Sequence, residues 1–148
     1  PQNAFPGQSM ESLQFWTQDS STHDYWGKGT YSFDFDLAEE QISSAKVLHF
    51  DKIRDWVRVK INGKDLGLVW SLPYQLAIPG GLLSSQNHME LDVMNVSANR
   101  IRKLDREKFN WKNFYEINFV DIQYKPFDAS IWAVTASGIE GELYFSNL

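Results

Sequence analysis

Trp26, Trp56, Trp70 and Trp111 lie far apart in a chain that holds six Trp and six Tyr. An indole offers a flat apolar face with an N–H at its rim, suited to stacking on another ring. Asn99, Arg100, Asp105 and Arg106 fall in one polar stretch and supply paired donors and acceptors. A ligand that satisfies both sets has a flat apolar face and hydrogen-bonding groups around its rim. Other chemistries are thinly provided. The absence of Cys excludes a disulfide scaffold, a thiolate zinc site and a cysteine nucleophile. His23, His49 and His88 are widely separated, with no HxH or HExxH spacing, so no metal site built from them is expected. No Gly-x-Ser-x-Gly elbow, phosphate loop or dinucleotide fingerprint occurs, and Gly27-Lys28-Gly29 is too short to count.

The elements that must position these residues are strands. Tyr31, Phe33, Phe35 and Leu37 alternate with Ser32, Asp34 and Asp36, the period-2 pattern of a strand with one face in a core. Val57, Val59 and Ile61 alternate with Arg58 and Lys60 up to Asn62-Gly63, a pair that tolerates the positive φ of a tight hairpin. Leu66, Leu68 and Trp70 continue the alternation, as do Tyr74, Leu76 and Ile78, then Met89, Leu91 and Val93, and finally Leu143 and Phe145. Weaker segments at Leu13–Thr17, Val47–Phe50 and Phe114–Phe119 bring the expectation to eight or nine strands. Short strands separated by turn signals predict an all-β, antiparallel β-sandwich or barrel. Helical patterns are confined to Ala38–Ser44 and to Ser97–Phe109, the latter inside a polar connection of about 17 residues; connections of that length are usually functional or form an interface.

The 148 residues carry a net charge of −5 and fit one domain, with no internal boundary between residues 1 and 148. The densest basic stretch, Arg100–Lys112, is broken by Asp105 and Glu107, which argues against nucleic acid or an anionic membrane as partner. The longest apolar run, Ile131–Val134, is far short of the roughly 18 residues a membrane helix needs. The start at Pro1, with no Met, charged n-region or apolar h-region, is expected of a mature or excised piece.

Gly29-Thr30-Tyr31, then Val59-Lys60-Ile61-Asn62-Gly63-Lys64 with Leu66-Gly67, Trp70 and Pro73-Tyr74, resembles the galactose-binding-like jelly roll appended to many glycoside hydrolases. Leu91-Asp92-Val93-Met94-Asn95 with Ala98-Asn99-Arg100-Ile101 is similar to the V-x-N … N-R segment of that domain. Leu104-Asp105-Arg106, the run 110–119 from Asn110 to Phe119, and Ser137-Gly138-Ile139-Glu140-Gly141 extend the likeness. Together they resemble the C-terminal sandwich of family 106 α-L-rhamnosidases and family 2-type sugar-binding domains, over roughly Trp26–Leu148. The resemblance implies a jelly-roll sandwich that acts as a non-catalytic carbohydrate-binding module of a polysaccharide-degrading, rhamnosidase-like glycoside hydrolase. It implies a plant or bacterial glycan and the parent's catalytic domain as partners, and a secreted or periplasmic location. The alternative is an accessory domain that buttresses a catalytic barrel and binds no sugar. Jelly-roll sugar modules often carry a structural calcium, and Asp carboxylates with backbone carbonyls could build such a site, although no spacing identifies one.

Glycoside cleavage needs two carboxylates about 5–5.5 Å or 6.5–9.5 Å apart across the scissile bond. The many Asp and Glu residues carry no motif that selects such a pair, so no catalytic residue is assigned. The candidate ligand-binding residues are Trp26, Trp56, Trp111, Asn99, Arg100 and Asp105. Trp56 is out of phase with Val57, Val59 and Ile61 and so belongs to the opposite strand face, Trp26 sits in the turn Asp24–Gly27, and Trp111 sits in the long connection. Trp70, in phase with Leu66 and Leu68, is expected in the core or on a sheet face. An Arg100–Asp105 ion pair that holds the connection to itself is the structural counterpart of a sugar site there.

Overall fold

A computed structural model of the chain describes residues 12–113, 120 and 122–147. Alternating apolar residues bury one side of each strand, and the two buried sides face each other as an antiparallel β-sandwich. The strands are β1 (Lys28–Asp36), β2 (Val47–Arg54), β3 (Trp56–Ile61), β4 (Lys64–Val69), β5 (Gln75–Ala77), β6 (Gln86–Met94) and β7 (Gly138–Ser146). One sheet has the order β1-β6-β3-β4 and the other β5-β2-β7. The core between them is built from Leu48, Phe50 and Ile53 of β2, Val57, Val59 and Ile61 of β3, Met89, Leu91 and Val93 of β6, and Ile139 of β7. Tyr31 bridges the layers: its hydroxyl accepts a hydrogen bond from the Ile139 N–H and donates to the Gln14 carbonyl.

The all-β sandwich agrees with the alternation, with seven strands among the described residues where eight or nine are expected. Leu13–Thr17 is not a strand; it leads into a 3₁₀ turn at Trp16–Gln18, where Trp16 packs near Tyr25 and Tyr31. Phe114–Phe119 lies outside the described residues. Among the described residues, the stretch between β6 and β7 carries one bridge, Val120–Pro126. Its first part is helix α2 (Ala98–Arg106), and the short helix α1 (Glu39–Ser44) precedes β2.

The third difference concerns Trp70. Asn62 and Gly63 both take positive φ, as the hairpin requires. Beyond the turn, Lys60 pairs with Asp65 but Val59 pairs with Gly67, so Leu66 is an extra residue with no cross-strand partner. Such a bulge reverses the phase of the strand, and Gly67, at φ +105°, takes a conformation other residues rarely adopt. Val69 then points into the core, while Leu68 and Trp70 turn outward. Trp70 is not a core residue: it is 70% exposed.

Candidate functional site

The strand register gathers three indoles at one end of the four-stranded sheet. Val57 pairs with Val69, so Trp56, just before Val57, and Trp70, just after Val69, lie at the same end of β3–β4. Trp56 also pairs with Met94, and Met94 pairs with Lys28, which brings the Trp26 turn to this end across β6. Trp26 is 57% exposed and Trp56 37%, with Leu68, Leu72, Met94 and Val96 also exposed around them. These side chains make this end of the sheet an exposed apolar patch.

Local hydrogen bonds hold the patch in shape. Asn95 is buried; its amide donates to the Tyr25 carbonyl and its oxygen accepts from the Gly27 N–H, which clamps the Trp26 turn to the end of β6. Asp24 in the same turn meets Arg102 of α2 at 3.2 Å, and Arg102 Nε donates to the Trp132 carbonyl at 2.8 Å. Along the outward face beside the indoles runs a polar ladder. Asp92 accepts from Thr30 at 2.7 Å and lies 3.4 Å from Lys28 Nζ and 3.6 Å from Lys60 Nζ, while Arg58 meets Asp65 at 3.2 Å. Partial burial opposes the charge on Asp92, but the Thr30 hydroxyl and the two ammonium groups outweigh it and hold its carboxyl below the usual carboxylate range.

A second cluster sits past the C-terminal end of α2. A cleft of about 300 Å³ is lined by Asp105, Lys108, Phe109, Trp111, Lys112 and Phe127. The Asp105 side chain is nearly buried and accepts from the Trp111 indole at 2.7 Å, from the Ala129 N–H at 2.8 Å and from Lys112 at 3.2 Å. Burial alone would raise its pKa; the three donors prevail and lower it. Lys112 Nζ also donates to the Phe127 carbonyl and lies 5.6 Å and 5.2 Å from the centres of the Trp111 and Phe127 rings. This cluster folds the connection onto itself.

The candidate residues thus divide. Trp26 and Trp56 share the aromatic end, and Trp111 and Asp105 share the cleft. Asn99 is 1% exposed, and both ends of its amide are bonded to the Thr135 backbone, so it shapes the connection from inside. Arg100 is exposed on α2. The ion pair expected between Arg100 and Asp105 is replaced by Lys112–Asp105, and the arginine that anchors α2 is Arg102, paired with Asp24. Trp70 was hidden by the bulge. Arg102 carried one signal: it is three residues past Asn99, so both fall on the same side of a helix.

Among the described residues no group of three or more His, Asp or Glu is placed to hold a metal ion, and no helix is long and apolar enough to cross a membrane.

The fold and this end define a class: an antiparallel β-sandwich with a solvent-facing tryptophan patch bordered by hydrogen-bonding side chains. No protein-family model and no curated protein matches the chain. Among solved structures it is similar to the rhamnosidase from Novosphingobium sp. PP1Y, with a TM-score of 0.61 and 25% identity, over 81% of this chain and 11% of that one. The β-glucuronidase of Lactobacillus rhamnosus gives a TM-score of 0.49 and 19% identity over 64% of this chain and 17% of that one. That of Bacteroides uniformis gives 0.45 and 23% over 55% and 10%. The chain thus spans about a tenth of the length of that rhamnosidase.

Proposed function

We propose that this sandwich is an accessory module of a glycoside hydrolase that holds a glycan on its tryptophan end and leaves cleavage of the glycosidic bond to the parent's catalytic domain. The observation that carries this reading is the placement of Trp56 and Trp70, both exposed, at one outward end of the β3–β4 pair beside Arg58. Indole faces stack on the C–H face of a sugar ring, and the neighbouring Arg58, Asp65, Lys28 and Asp92 offer donors and acceptors to its hydroxyls. The likeness to 11% of a rhamnosidase supports the accessory role and suggests a rhamnosidase-like parent acting on plant or bacterial polysaccharide, secreted or periplasmic.

Calorimetry of the chain against a panel of such polysaccharides tests it. Heat of binding is expected for at least one, with affinity at least about tenfold weaker in Trp56→Ala and Trp70→Ala, the scale of losing one stacked ring. A panel with no heat at all removes this reading.

The exposed Leu68, Leu72, Met94 and Val96 favour a second reading, a surface that buttresses the catalytic domain. Under it the panel is silent, and the chain self-associates through this end in a manner relieved by Leu72→Ser.

A further inference from the structure

The outward face of β1 and β6 carries a hydrogen-bonded relay that the glycan reading does not use. Asp34 and His88 are directly opposite in the antiparallel register, with Ser32 two residues back on β1. The Asp34 carboxylate lies 2.6 Å from His88 Nδ1, and His88 Nε2 lies 3.1 Å from the Ser32 hydroxyl oxygen. An ionised carboxylate only accepts, so Nδ1 carries the ring proton. A neutral ring then has its lone pair on Nε2, and the Ser32 hydroxyl donates to it. This is the order of contacts that activates a serine as a nucleophile, and it is recognised by geometry whatever the fold.

Two features of the sheet support the arrangement. Leu37 N–H donates to the Ser85 carbonyl and Asn95 N–H to the Gly27 carbonyl, both on the β1–β6 register. The hydrogen-bonded pairs therefore fall at odd positions of β1. Ser32 and Asp34 are at the non-hydrogen-bonded positions, where cross-strand side chains approach most closely. Their own N–H groups point away from β6. Among the described residues β1 is an edge strand, so the Ser32 N–H has no partner strand on that side. The Tyr25 hydroxyl, which reaches the Lys28 carbonyl at 2.8 Å, marks the same edge. Asn62 Oδ1 accepts the His88 N–H at 2.8 Å and fixes the histidine backbone from the other side.

We infer that Ser32, His88 and Asp34 form a hydrolytic site for small carboxylic esters. Ser32 Oγ attacks the acyl carbon as its proton passes to His88 Nε2, and the Ser32 N–H donates to the carbonyl oxygen as negative charge develops there. The bond to the leaving alcohol breaks, and the alcohol takes the proton from His88. Water then attacks the acyl-serine, again losing its proton to His88, and the carboxylic acid leaves with Ser32 restored. Asp34 is a positioning residue that holds the ring tautomer. Ser32, Asp34 and His88 are all exposed, so the class of substrate is a short acyl group, such as acetyl, on a good leaving alcohol.

The test uses the purified chain with p-nitrophenyl acetate and, separately, with an alkyl fluorophosphonate that transfers its phosphonyl group to an activated serine and releases fluoride. Hydrolysis above the buffer rate is expected, together with a mass increment on the peptide that contains Ser32. Ser32→Ala abolishes both, and His88→Gln lowers kcat by at least about 100-fold, the lower end for general-base catalysis. Asp34→Asn, which favours the other tautomer, lowers kcat with little change in KM, and Asp34→Glu recovers part of it. All these positions lie on a solvated face, and circular dichroism verifies the fold of each variant. Absence of the label on Ser32, or hydrolysis that persists in Ser32→Ala, overturns the inference. Neither result bears on glycan binding at the tryptophan end.

Discussion

Asp105 shows how one side chain can matter without touching a ligand. Three donors converge on a carboxylate with little access to water, and its folded-state pKa is depressed. A depressed carboxylate contributes stability that is fully present above its unfolded pKa of about 3.9 and is lost as pH falls through the folded value. Thermal unfolding of the chain and of Asp105→Asn from pH 7 down to pH 3 is expected to show a gap between them at neutral pH. That gap narrows below about pH 4. A gap that stays constant with pH would show that the Asp105 charge does not hold the connection. The acid and its partners Trp111 and Lys112 were visible in the sequence as a polar, aromatic stretch. Which base would pair with the acid was not: Arg100, Arg106, Lys108 and Lys112 are all near in sequence, and only the path of the loop selects Lys112.

At the scale of elements, β4 and the connection after β6 decide what the molecule presents. Alternation identified the β3–β4 hairpin correctly, yet a single bulged residue inverted which of its side chains face water. Period-2 reasoning assumes an unbroken ladder, and Leu66 breaks it. Gly67→Ala forces a side chain into φ +105° with space around it, so its cost is backbone strain alone, about 1 kcal/mol. At this chain length that is a fall in Tm of roughly 2–4 °C. The connection depends on Asn99 in the same way that the bulge depends on Gly67. Asn99→Ala leaves the Thr135 N–H and carbonyl without their partner and is expected to lower stability by about 1–3 kcal/mol, measured by urea denaturation. Glycan affinity at Trp56 and Trp70 should be preserved in that variant. A stability unchanged within about 0.5 kcal/mol would mean water replaces the amide without loss.

For the molecule as a whole, the two sheets are joined by apolar packing and by the Tyr31 hydroxyl between Gln14 and Ile139. Burial raises the Tyr31 pKa, in keeping with a neutral hydroxyl inside the sandwich. Gly138 must lack a side chain, because a Cβ there would collide with that hydroxyl. Tyr31→Phe is expected to cost about 1–2 kcal/mol by orphaning the Ile139 N–H, and no loss of stability would indicate that packing alone closes the sandwich. Composition and alternation by themselves determined an all-β chain with a one-sided core, because burying one face of a strand requires period 2 in its sequence. They also placed Trp56 on the outward face. Only the tertiary structure decided that Trp56 and Trp70 share an end with Trp26, and that Ser32, His88 and Asp34 form one relay. Those meetings depend on strand register and on one bulge, both set by contacts between segments distant along the chain.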